Sequence, residues 1–462
     1  MASEKDLDRL LGDPKVAIRG MVLPFLIAMA VVEANQFIDT FWVSGLGDKA
    51  AEAVATMVPI YGMIVWTGVG LSTGATTTMA FRLGKGDRDA AGRIGSNTII
   101  FGVLISIAVS VVLFLCFDLM IDVLGAQDVR SESLGYLLPY LISSPVLILT
   151  SIIGGMLRAE GAARKSTVVQ SSAALLNMVL DPILIYSFGM GLPGAAIATI
   201  LASLSGLILG IYWYLSGGTV VKLNRTNFRW DRDMMGEMLA VGGPKTATLL
   251  ISNITDFLQR IFLIIAGGTA AVMLYNYPWR YIALAMLPGR SLETAMLPVC
   301  SAAFGQNDLR KMREGAFYAL KISMVIALCM TAIFLFFSEP LMSIMTYEDS
   351  MRPFLPKLSW TLAWASLMLP FLAMMGVGSS MLQAMKRAKI PMYFTMVWGV
   401  AKLLLYWMAS LGWFGVDPYD GIIYSMVFIC SLGGVGMFVI AETEFRKLRA
   451  ASERASGCCR SR

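Results

Sequence analysis

Residues 99–117 of the chain read IIFGVLISIAVSVVLFLCF, a run of 19 positions without a charged side chain. A helix needs about 20 consecutive, mostly apolar residues to cross the hydrocarbon core of a bilayer. Twelve stretches of this kind can be counted along the sequence. They are residues 20–43, 51–80, 94–117, 133–157, 166–188, 194–215, 237–265, 271–303, 315–337, 354–384, 391–413 and 421–441. The sequence therefore predicts an all-α polytopic membrane protein with twelve transmembrane helices.

The composition of the chain excludes several other classes of protein. Of its 462 residues, 57% are hydrophobic and 15% are charged, and the mean hydropathy is +0.68. This composition is not that of a soluble enzyme, a disordered protein or a nucleic-acid reader, in spite of a net charge of +6. The chain has no histidine, so any proton chemistry must use carboxylates. The six cysteines suggest neither a disulfide framework nor a metal site.

Lysine and arginine are distributed unevenly between the predicted loops. With the N-terminus inside, the inner segments hold 27 of these residues and the outer loops with their edges hold four. Because inner loops of membrane proteins are enriched in basic residues, this bias predicts an even number of helices and two cytoplasmic termini. We therefore expect a multi-pass protein of the cell membrane.

The longest polar loop between predicted helices falls near the midpoint of the chain, after the sixth helix. It divides the sequence into an N-lobe (1–216, helices 1–6), a cytoplasmic inter-lobe loop (217–235), a C-lobe (236–445, helices 7–12) and a cytoplasmic tail (446–462).

The two halves carry similar motifs at matching places. GKGD at 84–87 follows the second predicted helix, and GQND at 305–308 follows the eighth, 221 residues later. LRA at 157–159, after the fourth helix, resembles LQA at 382–384, after the tenth, at an offset of 225 residues. Since each half has six helices, both halves share one orientation. The sequence thus predicts two six-helix lobes related by a parallel internal repeat, with a pathway between the two bundles.

The ionisable residues inside the first-half helices are few. Asp39 lies four residues after Asn35 in the first helix, and Asp181 lies four residues after Asn177 in the fifth. Each pair shares a helix face, and carboxylate and amide oxygens suit a hard cation or an exchangeable proton. A structural role, in which the acids cap broken helices or bond to neighbours, stays open. Glu33 lies on a different face, and no role is assigned to it.

Charged residues in the second half mostly come with local partners. Asp256 and Arg260 are four residues apart in the seventh helix, and Arg290 and Glu293 are three apart in the eighth. Opposite charges at these spacings neutralise each other, so the sequence predicts two structural ion pairs. Lys402 has no opposite charge at helical spacing, so a carboxylate of another helix or an anionic ligand would have to serve it.

An aromatic cluster in the eighth helix is a candidate for the substrate cleft. It comprises Tyr275, Tyr277 and Trp279, and Arg280 follows it directly. Aromatic faces attract organic cations, which favours a cargo of that class. Ordinary lipid-facing or interfacial aromatic residues are an equally good interpretation.

Pro24 lies inside the first predicted helix, 15 residues before Asp39. A proline at such a position removes a backbone hydrogen bond and favours a kink. Protonation or cation binding at Asp39 would change the charge on this helix and bias its bend, which predicts a switch.

Four motifs resemble those of the MATE family of multidrug exporters (multidrug and toxic compound extrusion). They are DTFWVSGLG at 39–47, LRAEG at 157–161, LNMVLDP at 176–182 and GAAIAT at 194–199. The third, in the fifth helix, is the most specific. The resemblance implies two six-helix lobes with a central cleft. It also implies export of amphipathic, often cationic compounds in exchange for H+ or Na+.

The same resemblance implies a set of coupling residues, and it is closest to the DinF-like and archaeal branch of the family. That branch uses an acid of the first helix, an Asn and an Asp of the fifth, a Thr of the sixth and a kinkable proline. The positions that match are Asp39, Asn177, Asp181, Thr199 and Pro24, with Asn35 alongside. The NorM-like branch places a carboxylate eight residues after a G-P turn in the seventh helix, where this chain has Ser252. This departure favours a coupling site in the N-lobe.

Two other function classes can be weighed against an antiporter. A flippase for a lipid-linked saccharide or another lipid precursor could use the same architecture. A membrane-bound enzyme would need a catalytic constellation, and the sequence contains no nucleophile–base pair, metal-ligand cluster or phosphate loop. We therefore expect a non-enzymatic transporter without cofactor or metal. Its expected partners are small organic substrates, a coupling cation and the lipid bilayer, with neither nucleic acid nor an obligate protein partner.

Overall fold

The computed structural model of the chain describes residues 2–223, 228–346 and 351–460, and within these ranges it contains helices and no β-strand. In a bilayer every backbone N–H and C=O must be satisfied within the protein, and a helix does this within its own segment. The predicted all-α class is confirmed.

The first of two compact units comprises Met1–Leu250 and Ser301–Asp308. Its complete helices are α1 (Ala2–Leu11), α2 (Pro14–Ser44), α3 (Asp48–Gly84), α4 (Arg88–Leu115), α5 (Phe117–Leu124), α6 (Arg130–Ile142), α7 (Ser144–Ala159), α8 (Ala163–Pro182) and α9 (Gly191–Leu215).

The second unit comprises Ile251–Cys300 and Leu309–Arg462. Its helices are the central part of α10 (Arg232–Gly305), α11 (Leu309–Met345), α12 (Leu355–Ser366), α13 (Leu369–Ala384), α14 (Lys389–Ser410) and α15 (Pro418–Arg460). The predicted lobe boundaries at 216 and 236 stay a prediction.

Helix α10 contains two membrane spans rather than one. At 1.5 Å per residue its 74 residues would form a helix about 110 Å long, whereas the hydrocarbon core is about 30 Å thick. Gly267 and Gly268 have non-helical backbone angles, and the φ of Gly268 is 64°, in the left-handed region that favours glycine. The break falls between the predicted spans 237–265 and 271–303.

The described residues provide twelve spans. Ten of their helices are long and apolar enough to cross a membrane, and the bent pair α6–α7 adds another. Because α10 counts once among the ten although two glycines divide it, the total agrees with the prediction.

The fourth predicted span, 133–157, departs from the expectation of a single helix. It is broken between α6 and α7, which meet at an angle of 53°. Pro145 lies in the first turn of α7, where its ring and missing N–H prevent continuation of α6.

Turns with left-handed backbone angles recur in the two halves of the chain. Gly86 (φ 79°) and Asn307 (φ 58°) are 221 residues apart, and Gly161 (φ 76°) and Lys386 (φ 59°) are 225 apart. These are the offsets of the sequence motifs. The internal repeat is therefore visible in the backbone at positions where the side chains differ.

The segment that follows α9 is anchored by a buried acid. The Glu160 carboxylate accepts hydrogen bonds from the Tyr214 hydroxyl at 2.9 Å and from the Val220 N–H at 2.7 Å, and Lys165 donates to the Gly218 carbonyl. Burial raises the pKa of Glu160 to about 7, although its hydrogen bonds oppose this shift.

Candidate functional site

Helices α2 and α8 bring the two predicted carboxylate–amide pairs together. Asn35 donates through its Nδ2 to the Asp39 carboxylate at 2.9 Å and to Asn177 Oδ1, also at 2.9 Å. Asn177 in turn donates to the Asp181 carboxylate at 2.8 Å. The four side chains form one continuous hydrogen-bonded chain across two helices, and we call it the acid–amide chain. Sequence spacing predicted each pair, but not the bond that joins them.

The acid–amide chain has unused acceptors. Asn35 Oδ1 and Asp39 Oδ1 are buried and have no hydrogen-bond partner among the described residues. The carboxyl groups of Asp39 and Asp181 are linked to each other through the two amides of Asn35 and Asn177. Two carboxyl groups that share a site favour one positive charge between them, as a proton or as a hard cation with oxygen ligands. The chemistry of the acid–amide chain therefore suits reversible binding of H+ or Na+.

Three tyrosines that were not predicted from the sequence lie beside the acid–amide chain, and we call Tyr61, Tyr136 and Tyr140 the tyrosine wall. The Tyr140 ring lies 4.3 Å from the Tyr61 ring and 5.2 Å from the Tyr136 ring, measured between centroids. Tyr61 and Tyr136 are close enough to feel the charge of Asp39. Tyr140 and Tyr136 are four residues apart in α6, and this helical spacing was the signal available in the sequence.

Thr199 reaches the site through a tyrosine. The Tyr140 hydroxyl donates to Thr199 Oγ1 at 3.3 Å, and Thr199 donates to the Ala195 carbonyl of its own helix. The structure thus gives Thr199 a place at the tyrosine wall rather than a hydrogen bond to Asp39 or Asp181.

The backbone of α8 changes directly after Asp181. Pro182 ends the α-helix, and Ile183–Ser187 continue as a π-helix. Such wide turns often occur at functional sites. The Tyr186 hydroxyl in this segment donates to the Trp42 carbonyl of α2 at 2.6 Å. This contact fixes the end of α2 against α8, next to the acid–amide chain.

Two other predicted features of α2 can be placed. The helix runs without a break through Pro24, so a bend there stays a prediction. Glu33 is half-buried and takes no part in the acid–amide chain.

The first predicted ion pair of the second unit is wrong. Asp256 pairs with Lys402 of α14, whose Nζ lies 3.3 Å from Asp256 Oδ1, and not with Arg260. The exposed Arg260 has no ion pair among the described residues. A partner on a neighbouring helix therefore takes the place of the predicted partner at i+4. Lys402 thereby gains the carboxylate that the sequence could not assign.

The second predicted pair, Arg290 with Glu293, stays a prediction. The Glu293 carboxylate lies against Gly376 of α13, where any larger residue would collide with it. Arg290 is exposed, and both residues line a pocket that also includes Ser323. The contact of Glu293 with α13 depends on packing between helices, which spacing along one helix does not encode.

The aromatic candidates of the eighth span pack against the core of the second unit. Tyr275, Tyr277 and Trp279 are partly buried there, and the rings of Tyr275 and Trp279 stack with centroids 5.3 Å apart. Arg280 is exposed. Their assignment to a substrate cleft stays a prediction.

A family model, curated proteins and solved structures all match this chain. The MatE family model matches residues 24–183 and 244–408. The chain is 24% identical over 314 residues to the multidrug export protein MepA of Staphylococcus aureus, covering 68% of this chain and 69% of that protein. It is 22% identical over 462 residues to the FAD transporter of Shewanella oneidensis, covering 97% and 99%. A crystal structure of MATE in complex with MaL6 matches with a TM-score of 0.91 at 25% identity, over 96% of this chain and 99% of that one.

Proposed function

Since the chain belongs to the MATE family of multidrug efflux transporters, we propose that it is a secondary antiporter. It exports amphipathic organic compounds, cationic ones among them, in exchange for H+ or Na+. The proposal includes alternating access between two lobes, a place in the cell membrane and two cytoplasmic termini. The basic residues of the predicted inner loops support that orientation.

The acid–amide chain is the observation that carries the proposal. It joins two carboxylates and two amides inside membrane-spanning helices, where unneutralised charge is costly. A proton or a sodium ion bound there neutralises part of this charge. Because the acid–amide chain joins α2 to α8, binding of a proton or Na+ to it changes how strongly the two helices interact. Pro24 gives α2 a point at which to respond, so ion binding and cargo release are linked.

The test uses purified protein in liposomes, with efflux of a cationic dye driven separately by a pH gradient and by a Na+ gradient. Wild-type protein exports the dye under one gradient, which identifies the ion. Asp39→Asn removes the ion-binding charge and reduces export to the level of empty liposomes. Glu33→Gln is the matched control, because Glu33 is an acid on the same helix outside the acid–amide chain. Equal export by wild type and Asp39→Asn would refute the proposal.

Absence of export under both gradients would instead favour a flippase for a lipid-linked saccharide or another lipid precursor. Lipid-linked substrates would then be assayed in the same liposomes.

A second candidate cargo comes from the relative that matches nearly the whole chain. The FAD transporter is similar over 97% of this sequence, whereas MepA is similar over 68%. FAD is an aromatic dinucleotide with negatively charged phosphates, so an anionic aromatic compound is the second candidate. Gradient-driven export of FAD from the same liposomes tests it.

A further inference from the structure

A second cluster of polar groups lies wholly within the second unit, on α10 and α14. Lys402 pairs with Asp256 at 3.3 Å, and Asp256 remains 69% exposed at its side chain. Arg260, one helical turn beyond Asp256, is exposed as well. A charged side chain in the middle of an apolar span does not face lipid at low cost, so these groups face water.

Aromatic rings surround these charges. Lys402 Nζ lies 5.6 Å from the centroid of the Tyr406 ring. The Tyr275 hydroxyl lies close enough to Asp256 and Arg260 to feel both charges, and the Tyr275 ring stacks on Trp279. A pair of parallel rings beside a charged cluster suits a flat aromatic ligand with an ionic substituent.

One buried donor in this cluster is unused. The Tyr406 side chain is fully buried, and its hydroxyl has no hydrogen-bond partner among the described residues. Buried hydroxyls are normally satisfied, and those that are not often mark a site for a ligand or water.

The charges do not balance. Lys402 and Arg260 contribute two positive charges, and Asp256 contributes one negative charge. Asp256 neutralises Lys402, which leaves Arg260 as the local excess. The acid–amide chain of the first unit is the opposite case, with two carboxylates and no basic side chain.

We propose that this C-lobe cluster binds the anionic group, a carboxylate or a phosphate, of an aromatic ligand. Arg260 and Lys402 hold the anion, and the Tyr275–Trp279 stack lies beside the ring. Asp256 competes with the ligand for Lys402 and weakens binding until the anion displaces it. The assignment of this ligand as transported cargo rests on the proposed antiporter function, whereas its binding does not.

The test compares ligands that differ by one charged group. Riboflavin and FMN share a ring system, and FMN adds a phosphate; pyrenebutanol and pyrenebutyrate differ by a carboxylate. Binding to the purified protein is followed by ligand fluorescence. We expect the anionic member of at least one pair to bind about ten-fold tighter, the effect of one charge-assisted hydrogen bond. The pair that shows the preference distinguishes phosphate from carboxylate. Equal affinities within both pairs would overturn the proposal.

Substitutions assign the preference to the cluster. Arg260→Gln and Lys402→Gln each lower the preference for the anion, whereas Asp256→Asn raises it by removing a competing negative charge. Lys402→Arg retains the charge and the preference, which separates loss of the site from loss of fold. Lys389→Gln, at the first turn of the same helix, is the control and changes nothing. A preference that survives both Arg260→Gln and Lys402→Gln places the anion elsewhere and contradicts the proposal.

Dye efflux measured on the same preparations separates the two proposals. If gradient-driven efflux fails while the anion preference stands, the antiporter function is wrong and the binding site is supported. If efflux depends on Asp39 and no anion preference exists, the inference about the C-lobe cluster alone is wrong.

Discussion

The acid–amide chain of the first unit and the C-lobe cluster of the second show how a duplicated scaffold carries different chemistry. In the first unit each acid has an amide partner, and every donor in the chain is neutral. In the second unit the acid Asp256 has a lysine partner and an arginine one turn away. A neutral amide leaves the carboxylate able to bind a cation, whereas a lysine already supplies one. The comparison teaches that similar backbones do not imply similar ion sites.

The largest expected effect on dye export comes from a substitution in the acid–amide chain of the first unit. Asp181→Asn removes the second carboxylate of the acid–amide chain, so one of the two groups that share a cation is lost. We expect gradient-driven dye export to fall about as far as in Asp39→Asn, by at least about 100-fold if each proton or ion must bind both groups. Initial rates in liposomes measure this. Size-exclusion chromatography of the purified variant checks that it remains folded, and a folded variant with wild-type rates would exclude Asp181 from the site.

The corresponding change in the second unit should have a far smaller effect on export of a cation. Asp256→Asn breaks a pair whose acid is largely exposed, and such pairs contribute about 1 kcal/mol or less to stability. We expect near-normal yield and dye export within about two-fold of wild type. The same liposome assay gives the rate. Lost export at normal yield would transfer the coupling site to the second unit.

The repeated turns allow the two halves to be compared at one backbone position. A Cβ on Gly161 would lie 2.7 Å from the Asp6 carbonyl oxygen, at a φ of 76°, so Gly161→Ala is expected to destabilise the protein by about 1–2 kcal/mol. Its counterpart Lys386 already has a φ of 59°, so Lys386→Gly should stabilise the protein by up to about 1 kcal/mol. Opposite shifts of the thermal midpoint in detergent check both. Shifts of the same sign would show that the turns are not equivalent.

The smallest effect concerns pH. Burial raises the pKa of Glu160 from 4.5 to about 7, so the folded state favours the neutral acid. Its contribution to stability is complete below the ordinary value and is lost as the pH rises through about 7. Few other groups titrate in this window, because the chain has no histidine.

We therefore expect the thermal midpoint to fall between about pH 5 and about pH 8, and Glu160→Gln to flatten that fall. Glu453→Gln, an exposed acid, serves as control. An identical pH profile for wild type and Glu160→Gln would mean that Glu160 is ionised throughout.

Apolar length and residue spacing along one helix account for most of what the sequence predicted. They identified the twelve spans, the division of α10, and both pairs, Asn35–Asp39 and Asn177–Asp181. They did not predict contacts between helices. The bond from Asn35 to Asn177, the tyrosine wall and the pairing of Asp256 with Lys402 all depend on which helix faces meet. The bend between α6 and α7 was missed because a hydropathy count is insensitive to Pro145.

The division of α10 has a practical consequence for experiments on topology. Its two spans are joined at Gly267 and Gly268, with helix on either side and no polar loop. A reporter inserted at these glycines would separate two spans that are joined directly. Its signal would then describe the disturbed protein and not the native topology. A short hydrophilic tag in the segment after α9, compared with one beyond Ser410 at the end of α14, avoids this difficulty. The predicted orientation puts these two places on opposite sides of the membrane. Tags there would show the topology of the second half without separating the two spans of α10.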